Sequence, residues 1–443
     1  MTGNNSTVEP ASIRWRFGPG FLVTAAFIGP GTVRTASLAG AEFGYSLAWA
    51  IVFSVLATVA FQEMASRLAI VGRVGLVDAI RQTLHYRILQ ILALALVIVA
   101  IFVGNAAYQA GNIVGASSGL KVLSGVSNSI WIGSISAIVL ALFWSGRFKL
   151  IQNVLTVLVL VMSALFVLAA AMSKINWSEF AAGMVPGKQS DGGWITAIAL
   201  LGTTVVPYNL FLHANASLDR WADIRGEDQK KRAVRFSLYD TVLSVVVGGL
   251  ITVAIMVTGG AFGGMDEVPK NIDSIAEQLK PALGNAAQFF FGMGLFAAGL
   301  TSAITAPLAA AYVFAGCFRF STNLEDWRMK LAATVVLGTG AYFALRYATS
   351  PSELILTAQI ANGLLLPLIV VFLIIVMNNG KILGNFRNRW FANVMGGIVL
   401  IVIALMTMKT ASSLWEKFNP PAEKATAQLS FPFDASVDSS SNC

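Results

Sequence analysis

The sequence predicts an all-α polytopic membrane protein, and three observations carry that prediction. Charged residues make up 12% of a 443-residue chain that is 56% hydrophobic, where a soluble domain carries about a quarter. Apolar stretches of bilayer length, about 20 residues each, recur along nearly the whole chain. Two of these stretches, five spans apart, are interrupted at corresponding places by proline with small or polar neighbours.

Eleven spans follow from the apolar stretches, at 20–43, 47–72, 89–116, 128–146, 150–173, 193–217, 232–262, 285–317, 327–347, 352–377 and 390–409. Residues 1–18 read as a polar cytoplasmic tail. Arg14 and Arg16 precede the first span without a cleavage-site pattern, so that span is expected to stay in the membrane. Residues 19–180 would form a first half of five helices and 190–380 a second, with an eleventh helix at 388–411. The stretch 412–443, with Pro420, Pro421 and Ser439 to Ser441, reads as a disordered extracytoplasmic tail. With these spans, twenty of the thirty Lys and Arg fall on the N-terminal side of the membrane, nine fall opposite, and Arg34 lies within a span. The bias predicts a cytoplasmic N-terminus and an outside C-terminus. The compact loops suit a bacterial inner membrane.

Span one reads Phe21 to Ile28, then Gly29-Pro30-Gly31-Thr32, then a second helical piece from Val33. Span six runs through Leu201, Gly202, Thr203, Thr204, Val205, Val206, Pro207, Tyr208 and Asn209 and resumes at Leu210. Proline removes a backbone donor and clashes with the preceding turn, and glycine lets the chain unwind. Unwound backbone at membrane depth persists only where protein or a water-filled cavity satisfies it. Two such breaks in matching positions of two halves mark a transport site.

Other function classes are disfavoured. Cys317 and Cys443 are the only cysteines, so no disulfide framework or zinc site is expected. No nucleophile–base pair, phosphate loop or metal-ligand cluster is visible, so the chain is not read as an enzyme, and no cofactor is expected. The basic residues lie in short loops and not on an aromatic-rich face, which argues against nucleic acid as a partner. The lipid bilayer is the partner that composition implies.

At the two breaks the sequence resembles the NRAMP family of divalent-metal transporters, whose first span carries Asp-Pro-Gly-Asn and whose sixth carries Met-Pro-His-Asn. The resemblance extends to Gly18-Pro19-Gly20-Phe21-Leu22, Ala39-Gly40, Phe43-Gly44-Tyr45, Gln62, Ala65, Arg67 and Leu68. It continues through Gly202-Thr203-Thr204, Asn209 to His213, Asp240-Thr241, Ala298-Gly299, Thr301-Ser302 and Ile304-Thr305, and covers about residues 17–410. It implies the LeuT-type fold, with helices 1–5 and 6–10 as inverted repeats, broken helices 1 and 6, and an eleventh helix.

Carried over residue by residue, the family's metal-binding aspartate falls on Gly29. Its asparagine falls on Thr32, its methionine on Val206 and a helping glutamine of span ten on Leu365. The acidic residues of span three fall on apolar positions around Ile98 and Ile101. A transition metal would lose both its charged and its soft ligand, and Mg²⁺ would miss the carboxylate as much. Arg34, by contrast, adds a positive charge near a half-helix N-terminus.

These departures lead to an expected small inorganic anion, bicarbonate first, bound among Gly29, Gly31, Thr32, Arg34 and Asn209. Tyr208, Thr203 and Thr204 would be its hydroxyl partners, with Val206 beside them. Alternatively, Arg34 snorkels or pairs with a carboxylate such as Glu42 or Asp240. Thr301, Ser302 and Thr305 of span eight are candidate ligands for Na⁺ as coupling ion, although such hydroxyls also bond their own preceding turn. His213 is a candidate proton carrier, and Asn105, Gln109 and Asn112 are expected to face the bundle interior. A divalent-cation transporter with an altered site and a non-transporting scaffold or sensor are the alternatives.

Overall fold

The computed structural model describes residues 28–145, 148–261 and 272–418, and among these every regular element is helical. The described half of span one is α1 (Pro30–Phe43); α2 (Ala48–Arg67) forms span two and ends in a π-helical turn, Leu68–Gly72. After the short α3 (Leu76–Thr83) come α4 (Arg87–Ser124), α5 (Asn128–Ser145) and α6 (Phe148–Met172), which are spans three to five. The short α7 (Trp177–Gly183) precedes span six, which is divided into α8 (Asp191–Thr204) and α9 (Pro207–Arg220). Spans seven to eleven are α10 (Glu227–Gly260), α11 (Ala287–Phe318), α12 (Trp327–Arg346), α13 (Pro351–Met377) and α14 (Trp390–Phe418).

Nine helices among the described residues are long and apolar enough to cross a membrane. The two other spans are α1, only part of its span, and α12, which carries Arg328, Lys330 and Arg346 near its ends. The upstream half of span one, the N-terminal tail and the C-terminal residues past 418 lie outside the described residues. The last helix runs on to Phe418, past residue 411, where the sequence reading ends helix eleven and begins a disordered tail.

The helices pack in two groups. One comprises α1, α2, α8, α9 and α10; the other comprises α4, α5, α11 and α12; α13 lies against both α4 and α8. Span six is the core of the molecule, with 94% of its most apolar window buried, whereas α14 is peripheral at 22%. Lipid offers no hydrophobic drive for helices to associate, so contact depends on small residues that let backbones approach. A Cβ on Gly259 of α10 would strike the carbonyl of Ser37 in α1, and one on Gly202 of α8 would strike the carbonyl of Gln359 in α13.

Proline also supplies a bond between groups of side chain and backbone. Pro307 inside α11 has no N–H to give the carbonyl four residues back, and that carbonyl, of Ala303, accepts from Gln109 Nε2 of α4 at 3.0 Å. At one end of the bundle, two arginines flanking and within α3 fasten helix C-termini, whose last carbonyls lack partners. Arg73, in a left-handed conformation at φ 56°, donates to the carbonyls of Trp221, Ala222 and Ile224 beyond α9. Arg81 donates to the carbonyls of Gly316 and Cys317 at the end of α11.

Candidate functional site

The site forms where the two breaks meet. Gly29 is extended and caps α1, with Pro30 as its first helical residue. The second break is shorter than the sequence implies. Helix α8 continues through Thr204, only Val205 and Val206 leave helical geometry, and Pro207 already begins α9. The reason is that proline's fixed φ suits the first helical position, where its missing N–H is not needed. Each break therefore presents a half-helix N-terminus, the partly positive end of a helix dipole.

Side chains from six helices converge here. Thr32 Oγ1 and Thr203 Oγ1 are hydrogen-bonded at 2.8 Å, which ties the two breaks together. Tyr208 of α9 meets Tyr108 of α4 edge to face, with ring centroids 5.5 Å apart. Both rings are fully buried, and neither phenol oxygen closes a well-formed hydrogen bond. Gly29 faces Ser302 of α11, whose Oγ lies 3.1 Å from where a Cβ would stand. Gly31 is covered by the side-chain amide of Gln359 from α13.

Asn209 is fully buried, and neither its amide oxygen nor its nitrogen has a protein partner. Gln359 Oε1 and Asn362 Nδ2 are buried in the same condition. Buried polar atoms are nearly always bonded, because leaving one unmade costs about 1–3 kcal/mol. Several such atoms within one site mark a place built for a polar guest. Among the described residues no group of three or more His, Cys, Asp and Glu exists, so that guest would be held without a carboxylate cluster.

Other expected site residues fall differently. Arg34 does not turn into the breaks. Its Nε donates to Ser352 Oγ in the first turn of α13, with Glu42 of α1 in electrostatic reach. Ser352 precedes Gln359 by seven residues, about 10 Å along a helix at 1.5 Å per residue, so the guanidinium points away from the cluster. Thr204 bonds the carbonyl of Leu200, and Val206 is a buried apolar cap. Thr301 and Thr305 donate to the carbonyls of Ala297 and Thr301 in their own helix, and only Ser302 of that trio lies against a break. His213 is fully buried and shares a 2.5 Å hydrogen bond through Nδ1 with Gln62. Asn105, Gln109 and Asn112 are buried in the bundle.

Leu365, on which the resemblance sets a glutamine of span ten, lies beside Gly104 of α4, and Gln359, six residues earlier, is the side chain that covers Gly31. Pro367 leaves α13 continuous, so the register of that helix sets which side chain meets the break. Gln359 and Asn362 are the only amides of α13 and sit three residues apart, which places them on one helical face. That signal was present in the sequence. Tyr108 carried a weaker one, as part of the polar series with Asn105, Gln109 and Asn112.

Two interrupted helices meeting at a buried polar centre, beside paired groups of helices, are the architecture of the LeuT-type fold. Solved structures bear out the fold: Mhp1 in its inward-facing conformation superposes with a TM-score of 0.52 at 14% identity, covering 91% of this chain and 92% of that one. A manganese transporter from Eremococcus coleocola gives 0.74 at 23% identity, covering 93% of this chain and 90% of that one. The family model for natural resistance-associated macrophage protein-like (Nramp) proteins matches residues 20–413, and the chain belongs to that family. It is also 27% identical over 396 residues to the divalent metal cation transporter MntH of Klebsiella pneumoniae, covering 88% of this chain and 92% of that one.

Proposed function

We propose that this member of the Nramp family carries a divalent metal cation, held between the breaks by neutral oxygens and retained water. The observation that carries this reading is the pair of buried, unpartnered amide oxygens, on Asn209 and Gln359, beside the broken spans. The turning of Arg34 onto Ser352 removes the charge that most favoured an anion. Kinship supports the same choice, since the Klebsiella relative is named for divalent metal cations and the Eremococcus one for manganese.

The ligand set differs from the one the family resemblance implies. Gly29 and Val206 offer neither carboxylate nor sulfur, so binding would be weak and would favour hard cations over soft ones. In proteoliposomes loaded with a metal-quenched dye, Mn²⁺ uptake is expected with no preference for Cd²⁺, and Asn209→Ala is expected to reduce it at least tenfold. Dye quenching equal to that of empty liposomes, with folded protein inserted, would sink the metal proposal.

One observation favours a second reading, a small anion such as bicarbonate coupled to Na⁺. Arg34 Nη1 is buried without a partner, and two half-helix N-termini face the site. Radiolabelled bicarbonate uptake with and without a Na⁺ gradient separates the two. Protein-dependent, Na⁺-stimulated uptake without Mn²⁺ quenching would install the anion.

A further inference from the structure

Helix α10 packs against α1, α2 and α6, and one stripe along it is left exposed. Arg232, Arg235, Tyr239, Leu243, Val246 and Leu250 succeed one another by three or four residues, so they share one helical face. All six are exposed, Tyr239 at 65%, Leu243 at 61% and Leu250 at 62%. Further along the same face the stripe closes, because Ala254 and Val257 are buried in a cluster with Ala170 of α6. From Tyr239 to Leu250 the open run rises about 16 Å at 1.5 Å per residue. That is close to half of a hydrocarbon core of about 30 Å. The two arginines continue the stripe at the end that the charge bias assigns to the cytoplasm.

We propose that this stripe seats one anionic phospholipid of the inner leaflet, its acyl chains along Leu243, Val246 and Leu250 and its phosphate between Arg232 and Arg235. A guanidinium fork matches phosphate oxygens two at a time, and a tyrosine suits the boundary between headgroups and chains. Glu227 and Asp228, at the start of α10, are taken up by Lys231 at 3.2 and 3.9 Å. Asp240, one residue past Tyr239, is turned about 100° from it. Among the described residues no carboxylate lies in bonding distance of Arg232 or Arg235. Membrane topology asks for positive charge at this end, but not for its place around a helix. Here both arginines stand in line with an open apolar run one leaflet long. Charge also chooses the occupant: a second copy, related by a two-fold axis, would set the same arginines against each other.

The test takes the full chain, delipidated in detergent, and follows lipid retention by native mass spectrometry. Phosphatidylglycerol and phosphatidylethanolamine of matched acyl chains are compared, and one phosphatidylglycerol is expected to be held at least tenfold more tightly. The paired Arg232→Gln and Arg235→Gln variant is expected to lose that preference. Arg328→Gln, which removes an exposed arginine at the same end but on α12, is expected to keep it. Pairing Arg232→Lys with Arg235→Lys preserves the charge that directs insertion and gives up the fork, and a fall in preference of at least threefold is expected. Excess inorganic phosphate is expected to leave the lipid in place, and its displacement by phosphate would overturn the fit to a leaflet. Equal retention of the two lipids would overturn the proposal, as would an equal loss of preference in Arg328→Gln. A lipid-free dimer that the paired glutamine variant dissolves would replace the lipid with a second copy. No permeant ion enters this measurement, so its outcome is separate from that of the transport assays.

Discussion

Gly29 is where one residue weighs most on the chemistry. The family resemblance places a metal-binding aspartate there, and the structure shows what such a side chain would meet. Its Cβ would stand 3.1 Å from Ser302 Oγ and 3.8 Å from the Tyr108 hydroxyl, two groups able to donate to a carboxylate. The contact is tight but involves the tip of a small, rotatable side chain. Gly29→Asp is therefore expected to fold and to lower the apparent KM for Mn²⁺ at least tenfold, an energy of about 1.4 kcal/mol, as measured by dye quenching in proteoliposomes. No gain in a folded variant would place the permeant ion away from Gly29. The same substitution is expected to abolish bicarbonate uptake if the anion is carried, because a carboxylate beside the site repels it.

Helix pairs depend on backbone contact at a few glycines, and that makes their cost predictable. Gly259 of α10 sits directly against the Ser37 carbonyl of α1, whereas Gly338 of α12 has open space where a Cβ would go. Overpacking a rigid contact costs about 1–3 kcal/mol. Gly259→Val is expected to lower the thermal unfolding midpoint of the detergent-solubilised protein clearly, and Gly338→Val to leave it unchanged. Equal midpoints for the two would show that α1 and α10 do not meet as closely as this. Gln109 makes a related contribution between α4 and α11, because it fills the carbonyl that Pro307 leaves open.

For the whole molecule, the division into two groups of helices explains how one site could be reached from either side. Thr32–Thr203 joins the breaks within one group, while Ser302, Tyr108 and Gln359 reach them from α11, α4 and α13. Rocking one group against the other would change which end is open without dismantling the centre. Orientation is testable on the same scale. The excess of Lys and Arg on the N-terminal side predicts that alkaline phosphatase fused at the C-terminus is active in a bacterial host and that green fluorescent protein fused there is dark. The opposite pair of results would invert the outer and inner ends throughout.

The approximate placement of the spans and the two breaks were legible in the sequence because they rest on local facts, whereas the helices of spans three and eleven run on to Ser124 and Phe418, past the ends read from it. A run of apolar residues must match the bilayer, and proline acts on its own turn. The absence of a carboxylate at the breaks was legible for the same reason. What each buried polar group faces was not. The Arg34–Ser352 bond joins residues 318 apart and the Thr32–Thr203 bond residues 171 apart. Leu365 lies six residues, about 9 Å, further along α13, against Gly104, so the placement of α13 beside α1 decides that Gln359 covers Gly31. Composition determined that this chain is a polytopic membrane protein, and the residues at Gly29 to Thr32 and Val205 to Pro207 determined where two of its spans are interrupted. Only the packing of α1 against α13 decided that Arg34 turns away from that site, because a side chain's direction is set by the helix beside it.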